Sequence, residues 1–189
     1  MRRTKLALNL AALMVAAVSL SGCDTWRSAV NYVRSDNKSV CPDANILANT
    51  SVIPAFDPAQ GADPSNVVYT GQITDLASRC DYSKRENSID ANVRITFKAT
   101  RPPGGEEAHY KVPYYIAVTS GGQIVDKQIH WLEFDFPKAS AAVQMEELVD
   151  GIEIAVARDK KSYDYHLLIG FQLTQAQIDY NKKMGQYLP

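Results

Sequence analysis

Residues 91–99 read ANVRITFKA. Ala91, Val93, Ile95, Phe97 and Ala99 alternate with Asn92, Arg94, Thr96 and Lys98. A period of two places all the apolar side chains on one face of an extended strand and the polar ones in water. Tyr163 to Leu173 repeats the pattern, with Tyr165, Leu167, Ile169, Phe171 and Leu173 on one parity. Val67 to Tyr82 and Val112 to Val118 add β-rich runs. Pro113, which lacks an N–H, predicts that the second of these lies at a sheet edge or a strand's beginning. Gly121-Gly122 supplies the positive φ of a tight hairpin, so the chain returns through Ile124 to Phe136. There Ile124, His130, Leu132, Phe134 and Phe136 share one parity while Val125, Ile129 and Trp131 share the other. Apolar residues on both faces predict a partly covered strand or a bulge that changes register.

Breakers divide these runs. Residues 53–66, IPAFDPAQGADPSN, carry three prolines and a glycine and predict loop or edge. Before them, Ile46–Ala48 and Ser51–Ile53 suggest a short first strand. RPPGGEE at 101–107 predicts a turn, as does DKKS at 159–162. Val143 to Val149 and Gly151 to Ala155 give two further β-like runs. Thr174-Gln175-Ala176-Gln177 matches the T-x-x-Q capping box and predicts a short helix running to about Met184 and stopping at Gly185. About seven short strands joined by turns, without strand–helix alternation, define an all-β antiparallel sandwich with a short C-terminal helix. Its layout is similar to that of immunoglobulin-like or fibronectin-like modules. A lipocalin-like barrel is the alternative architecture.

The first 22 residues follow a different pattern. Arg2, Arg3 and Lys5 precede an apolar run from Leu6 to Leu20 that Asn9 interrupts, and small residues Ser21 and Gly22 follow. This is the three-part plan of a secretory signal peptide. The run of about 15 residues is shorter than the roughly 20 that a spanning helix needs. Leu20-Ser21-Gly22-Cys23 resembles the bacterial lipobox. The resemblance implies that Cys23 is alkylated by a diacylglyceryl group, that cleavage falls just before it, and that its new amino group is, as often in that family, acylated too, with palmitate as the expected lipid. Two or more acyl chains anchor a protein stably where one holds it marginally. The expected organisation is therefore a signal peptide over 1–22, a lipidated tether over 23–40 and a β-sandwich domain over 41–189. Residues 24–40 read either as a polar spacer or as a short interfacial helix with Trp26, Val30 and Val33 on one face.

The resemblance also bears on the remaining cysteines. Export favours oxidation of thiols, and with Cys23 lipidated, Cys41 and Cys80 are the one possible intramolecular disulfide. Two buried free thiols are the alternative. Asp24 follows the lipidated cysteine, a position that in enteric lipoproteins is associated with inner-membrane retention. The expected location is the cell envelope, facing the periplasm, with the choice of membrane open.

Charge narrows the partners. The chain carries 20 Lys and Arg against 21 Asp and Glu; without the leader's three basic residues the balance is 17 against 21, a net charge of −4. Nucleic acid is excluded as a partner class, since its affinity depends largely on phosphate neutralisation.

Candidate chemistry is sparse. His109, His130 and His166 lie far apart in the chain and form no local metal-binding pair. His130 reads as a core or boundary residue and His166 as a surface one. Glu133 and Asp135 share a strand face and read as a solvated polar pair, as do Glu106-Glu107 and Glu146-Glu147. The chain has no G-x-S-x-G elbow. Tyr110, Tyr114 and Tyr115, clustered beside Pro113, are the first choice for a partner surface, because aromatics bury much area at small entropic cost. These readings predict neither metal nor cofactor, and a non-catalytic binding or scaffolding module. It would be held to the membrane by its N-terminal lipid and would engage another envelope protein. The overall layout is similar to that of small Gram-negative envelope lipoproteins. A small-ligand or lipid carrier is the alternative, and a periplasmic hydrolase a more distant one.

Overall fold

A computed structural model describes residues 41–186. The signal peptide, Cys23 and the tether therefore lie outside the described residues. Eight strands are present among the described residues: β1 Asp43–Ile46, β2 Val52–Phe56, β3 Val67–Ser83, β4 Ser88–Thr100, β5 Ala108–Ser120, β6 Gln123–Phe136, β7 Ala142–Ala155 and β8 Tyr165–Phe171. One helix follows, α1 Gln175–Lys183. The strands form two four-stranded sheets, ordered β1-β8-β5-β6 and β2-β3-β4-β7, packed as an open sandwich and not closed into a barrel. All pairings are antiparallel except β1 with β8.

The alternation in β4 gives the second sheet its inner face. Ile89, Ala91, Val93, Ile95, Phe97 and Ala99 are all fully buried. Val112, Tyr114, Ile116 and Val118 of β5 oppose them, with Leu132, Phe134 and Phe136 of β6 and Leu167, Ile169 and Phe171 of β8. Each such large side chain contributes about 1.5–3 kcal/mol when removed from water. The Cys41–Cys80 disulfide joins the start of β1, in one sheet, to β3 in the other, with 5.6 Å between the Cα atoms.

Several expectations are met in detail. Gly121 and Gly122 form the two-residue β5–β6 turn with φ of +58° and +76°. The Thr174 side chain accepts from the Gln177 N–H, while the Gln177 side chain accepts from the Thr174 N–H, completing the capping box. Pro54 lies on edge strand β2. The two β-like runs after residue 142 are one strand, β7, whose register shifts opposite Asn92. There Gly151 adopts φ +72° and donates its N–H to the Asn92 side chain.

Pro113 corrects the expectation drawn from it. It lies inside β5, a central strand flanked by β6 and β8. Its carbonyl accepts from the Gln172 N–H just past the end of β8. Within an extended residue the N–H and C=O point the same way, so the missing N–H faces a position where β8 has already ended. Pairing with β8 begins only at Tyr114. From Ala108 to Pro113 the strand is locally an edge, which is why proline is tolerated.

Helix α1 lies along the outer edge of β2. The Gln177 side chain donates to the Pro54 carbonyl and the Asn181 side chain to the Val52 carbonyl, each at 2.8 Å. These are the carbonyls that β2 would offer to a further strand. Tyr180 packs edge-on against Phe56, with ring centroids 5.2 Å apart. No helix among the described residues is long and apolar enough to cross a membrane.

Candidate functional site

The outer face of the β5–β6 hairpin combines exposed apolar residues with paired charges. Its composition follows from a bulge. Val118 pairs with Asp126 but Thr119 pairs with Ile124, so Val125 is the extra residue. The bulge reverses the parity of everything before it. Ile124, numerically in step with His130 and Leu132, is thereby turned outward to join Ile129 and Trp131. Ile124 is 63% exposed and Trp131 55%. This outward apolar ridge runs along an edge strand.

Charged pairs flank it. Lys111 donates to Glu133 at 2.6 Å, and its ammonium also sits 5.3 Å from the Trp131 ring centre. Lys111's hydrogen bond and charge hold the Glu133 carboxyl below its ordinary range. His109 Nδ1 lies 2.8 Å from Asp135 Oδ1 one pair further along. The carboxylates of Glu133 and Asp135 are therefore each engaged by a group across the strand rather than turned toward a shared cation. Among the described residues no cluster of His, Cys, Asp and Glu gathers to hold a metal.

The tyrosine cluster expected to form a partner surface does not form one. Tyr114 is 1% exposed and Tyr115 8%, while Tyr110 is half-buried. Tyr114 points between the sheets and packs on Phe97, and burial pushes its phenol up to about 12. Tyr110 packs against Tyr69 and Phe134. Tyr115 is on the outward parity but is covered. Its hydroxyl meets Thr50 Oγ1 at 2.9 Å, and Lys127 lies over its ring. Lys127 donates in turn to Gln172 at 2.8 Å. The hairpin's exposed apolar surface comes instead from Ile124, Val125, Ile129 and Trp131; the parity conflict in its second strand signals Val125, Ile129 and Trp131, while Ile124 is placed outside only by the register.

Two depressions mark the surface. One of about 230 Å³ lies beside the ridge, between Leu47, Thr50, Tyr115, Ile124, Phe171 and Ile178. The other, of about 430 Å³, follows the turn from Arg101 to Ala108. Neither lies between the sheets, where the space is filled by Phe97, Tyr114, Phe136 and Phe171. A carrier of the lipocalin type places its ligand there instead.

His130 lies on the inner parity of β6, as expected of a boundary residue, and His166 is exposed. The His130 ring stacks on Tyr114, with centroids 5.3 Å apart and planes 22° from parallel. Its Nε2 is buried without a hydrogen-bond partner. Burial lowers its pKa, an effect that the negative charge of Glu147 partly offsets. Face-on stacking is a packing arrangement and not the in-plane hydrogen bond that proton transfer to a hydroxyl requires.

Cys41 and Cys80 are joined, as the exported reading expects. No protein-family model, curated protein or solved structure matches this chain.

Proposed function

We propose that this chain is a membrane-anchored envelope lipoprotein whose sandwich is a non-catalytic binding or scaffolding module. The observation that carries the reading is Leu20-Ser21-Gly22-Cys23, placed directly after a basic and then apolar leader. The pairing of Cys41 with Cys80 supports it, because Cys23 is then the one cysteine of the sequence outside that bridge. The acyl chains hold the protein at the membrane surface. Residues 24–40 give the domain reach, and the outer face of β5–β6 meets a protein partner through Trp131, Ile129 and Ile124. An exposed aromatic flanked by charged pairs suits such contacts, since tryptophan is enriched among residues that dominate binding energy.

The experiment compares the full chain with Cys23→Ser and Trp131→Glu in membranes. The wild-type amino-terminal peptide is expected to begin at Cys23 with added diacylglyceryl and acyl mass, and Cys23→Ser to lose both. Affinity purification after solubilisation is expected to bring down a protein partner with the wild type and not with Trp131→Glu. An unmodified Cys23 would sink the lipoprotein reading. Co-purification no higher than with Cys23→Ser would sink the scaffold reading.

A further inference from the structure

The two sheets have four outer strands, and three of them are unsuited to further pairing. Strand β1 has four residues. Strand β2 has its outward carbonyls taken by Gln177 and Asn181 of α1. Strand β7 is interrupted by the Gly151 bulge. Short, covered or bulged edges are the usual protections against edge-to-edge association. Strand β6 differs: past Val125 it runs unbroken from Asp126 to Phe136, and it pairs only with β5 among the described residues.

Pro113 shows which backbone groups of β6 are free. Its carbonyl points toward β8, so Pro113 and Trp131 form a non-hydrogen-bonded pair of the β5–β6 ladder. The N–H and C=O of Trp131 therefore point away from β5, to the open edge. By the period of two, so do those of Lys127, Ile129 and Glu133. The residues whose backbone is free are the same ones whose side chains stand on the outer face.

We infer that β6 is the pairing edge of a symmetric dimer, in which two copies of this chain join their β5–β6 sheets antiparallel about a two-fold axis through His130. That register sets Ile129 opposite the second copy's Trp131, and Lys127 opposite its Glu133, twice over. Every such pair has its backbone groups directed at the other strand. The outer face gains two apolar contacts and two opposite-charge contacts, which is what cross-strand pairing rewards, and Asp135 falls at the second copy's Val125 bulge, where the regular pairing ends. Neighbouring registers do less well. An axis through Trp131 sets Ile129 against Glu133; one through Leu132 sets Trp131 against Glu133 and Ile129 against Asp135; one through Ile129 sets Lys127 against Trp131 and takes Glu133 away from any cation of the second copy's β6. The dimer would align the two outward ridges side by side. It does not depend on lipidation, and its test is separate from that of Cys23.

The test is charge reversal in the full chain, solubilised in mild detergent and followed by sedimentation and native mass spectrometry. Wild type is expected to dimerise. Lys127→Glu and Glu133→Lys, each placing like charges opposite one another twice, are expected to weaken self-association roughly tenfold or more. Mixing the two variants is expected to restore a dimer containing one copy of each, because acid then meets base at both positions. Recovery on mixing also shows that both variants are folded. A wild type that stays monomeric overturns the proposal, and that is the outcome if β6 serves instead to receive a strand of another protein. Variants that still self-associate as the wild type does, or that fail to pair on mixing, overturn it as well.

Discussion

Thr50 Oγ1 and the Tyr115 hydroxyl meet at 2.9 Å across the outer face of the first sheet, directly over Gly170. Thr50 comes from the turn between β1 and β2, so this contact seals a residue that alternation alone would leave in water. It also explains the glycine. A Cβ at Gly170 would run into both the Thr50 side chain and the Tyr115 hydroxyl. Gly170→Ala is therefore expected to destabilise the domain by about 1–3 kcal/mol, the usual range for overpacking. Thermal unfolding followed by circular dichroism measures this. Adding Thr50→Ala should return part of the loss, and a Gly170→Ala protein as stable as the wild type would show that the strands yield freely here.

Among the described residues the disulfide is the one covalent side-chain cross-link between the sheets. It closes a loop with a sequence separation of 39. The entropy removed from the unfolded chain corresponds to roughly 4 kcal/mol. Replacing Cys41 and Cys80 together by serine is expected to lower the urea midpoint by a corresponding amount. Dithiothreitol should lower the wild-type midpoint comparably and leave the double variant unaffected. Equal midpoints for the two proteins would mean that the bridge adds no net stability.

How far the sequence carries depends on whether the deciding contacts are local. Ala91 to Ala99 and the Thr174 capping box are read correctly because strand period and cap chemistry act within a few residues. The sandwich follows from the strand and turn spacing. Tyr114 and Tyr115 depart from the expected partner surface for a different reason. As neighbours they must point to opposite faces, and only a distant segment, the Thr50 turn, buries the second. Pro113 misleads similarly, because β5 is central overall but an edge over its first six residues. The parity conflict at Val125 and Ile129 was visible as a bulge or a covered face. Which of the two held, and hence that Ile124 joins Trp131 outside, required the pairing with Thr119.

Arg101 organises the turn that the sequence marks with prolines and glycines. Its guanidinium donates to the carbonyls of Ser140, Glu106, Gly105 and Pro137, and lies 4.5 Å from the centre of the Phe136 ring. It thereby ties the β4–β5 turn to the β6–β7 turn. Arg101→Ala is expected to cost about 2–4 kcal/mol, from several charge-assisted hydrogen bonds and the covering of Phe136. Arg101→Lys should recover less than half, since an ammonium cannot reach carbonyls spread around a planar fork. Denaturant unfolding of the three proteins decides it; full recovery by lysine would reduce the role of Arg101 to its charge.

His130 makes the stability of the sandwich depend on pH. Its imidazole is stacked on Tyr114 with Nε2 buried and unpartnered, and burial holds its pKa below the ordinary value of 6.5. Glu147, on the facing edge of the other sheet, opposes this shift without cancelling it. The folded protein therefore binds a proton at this site less readily than the unfolded chain does. Between the folded and unfolded pKa values the unfolded state carries more protons, so stability rises with pH. The contribution is complete above about 6.5 and is lost as the pH falls through the lower folded value. Unfolding midpoints measured from pH 7.5 down to 5 should fall for the wild type, and His130→Phe, which keeps a ring against Tyr114, should flatten that decline. Removing the opposing charge with Glu147→Gln lowers the folded pKa further and should steepen it. An unchanged slope in His130→Phe would assign the acid sensitivity to other groups.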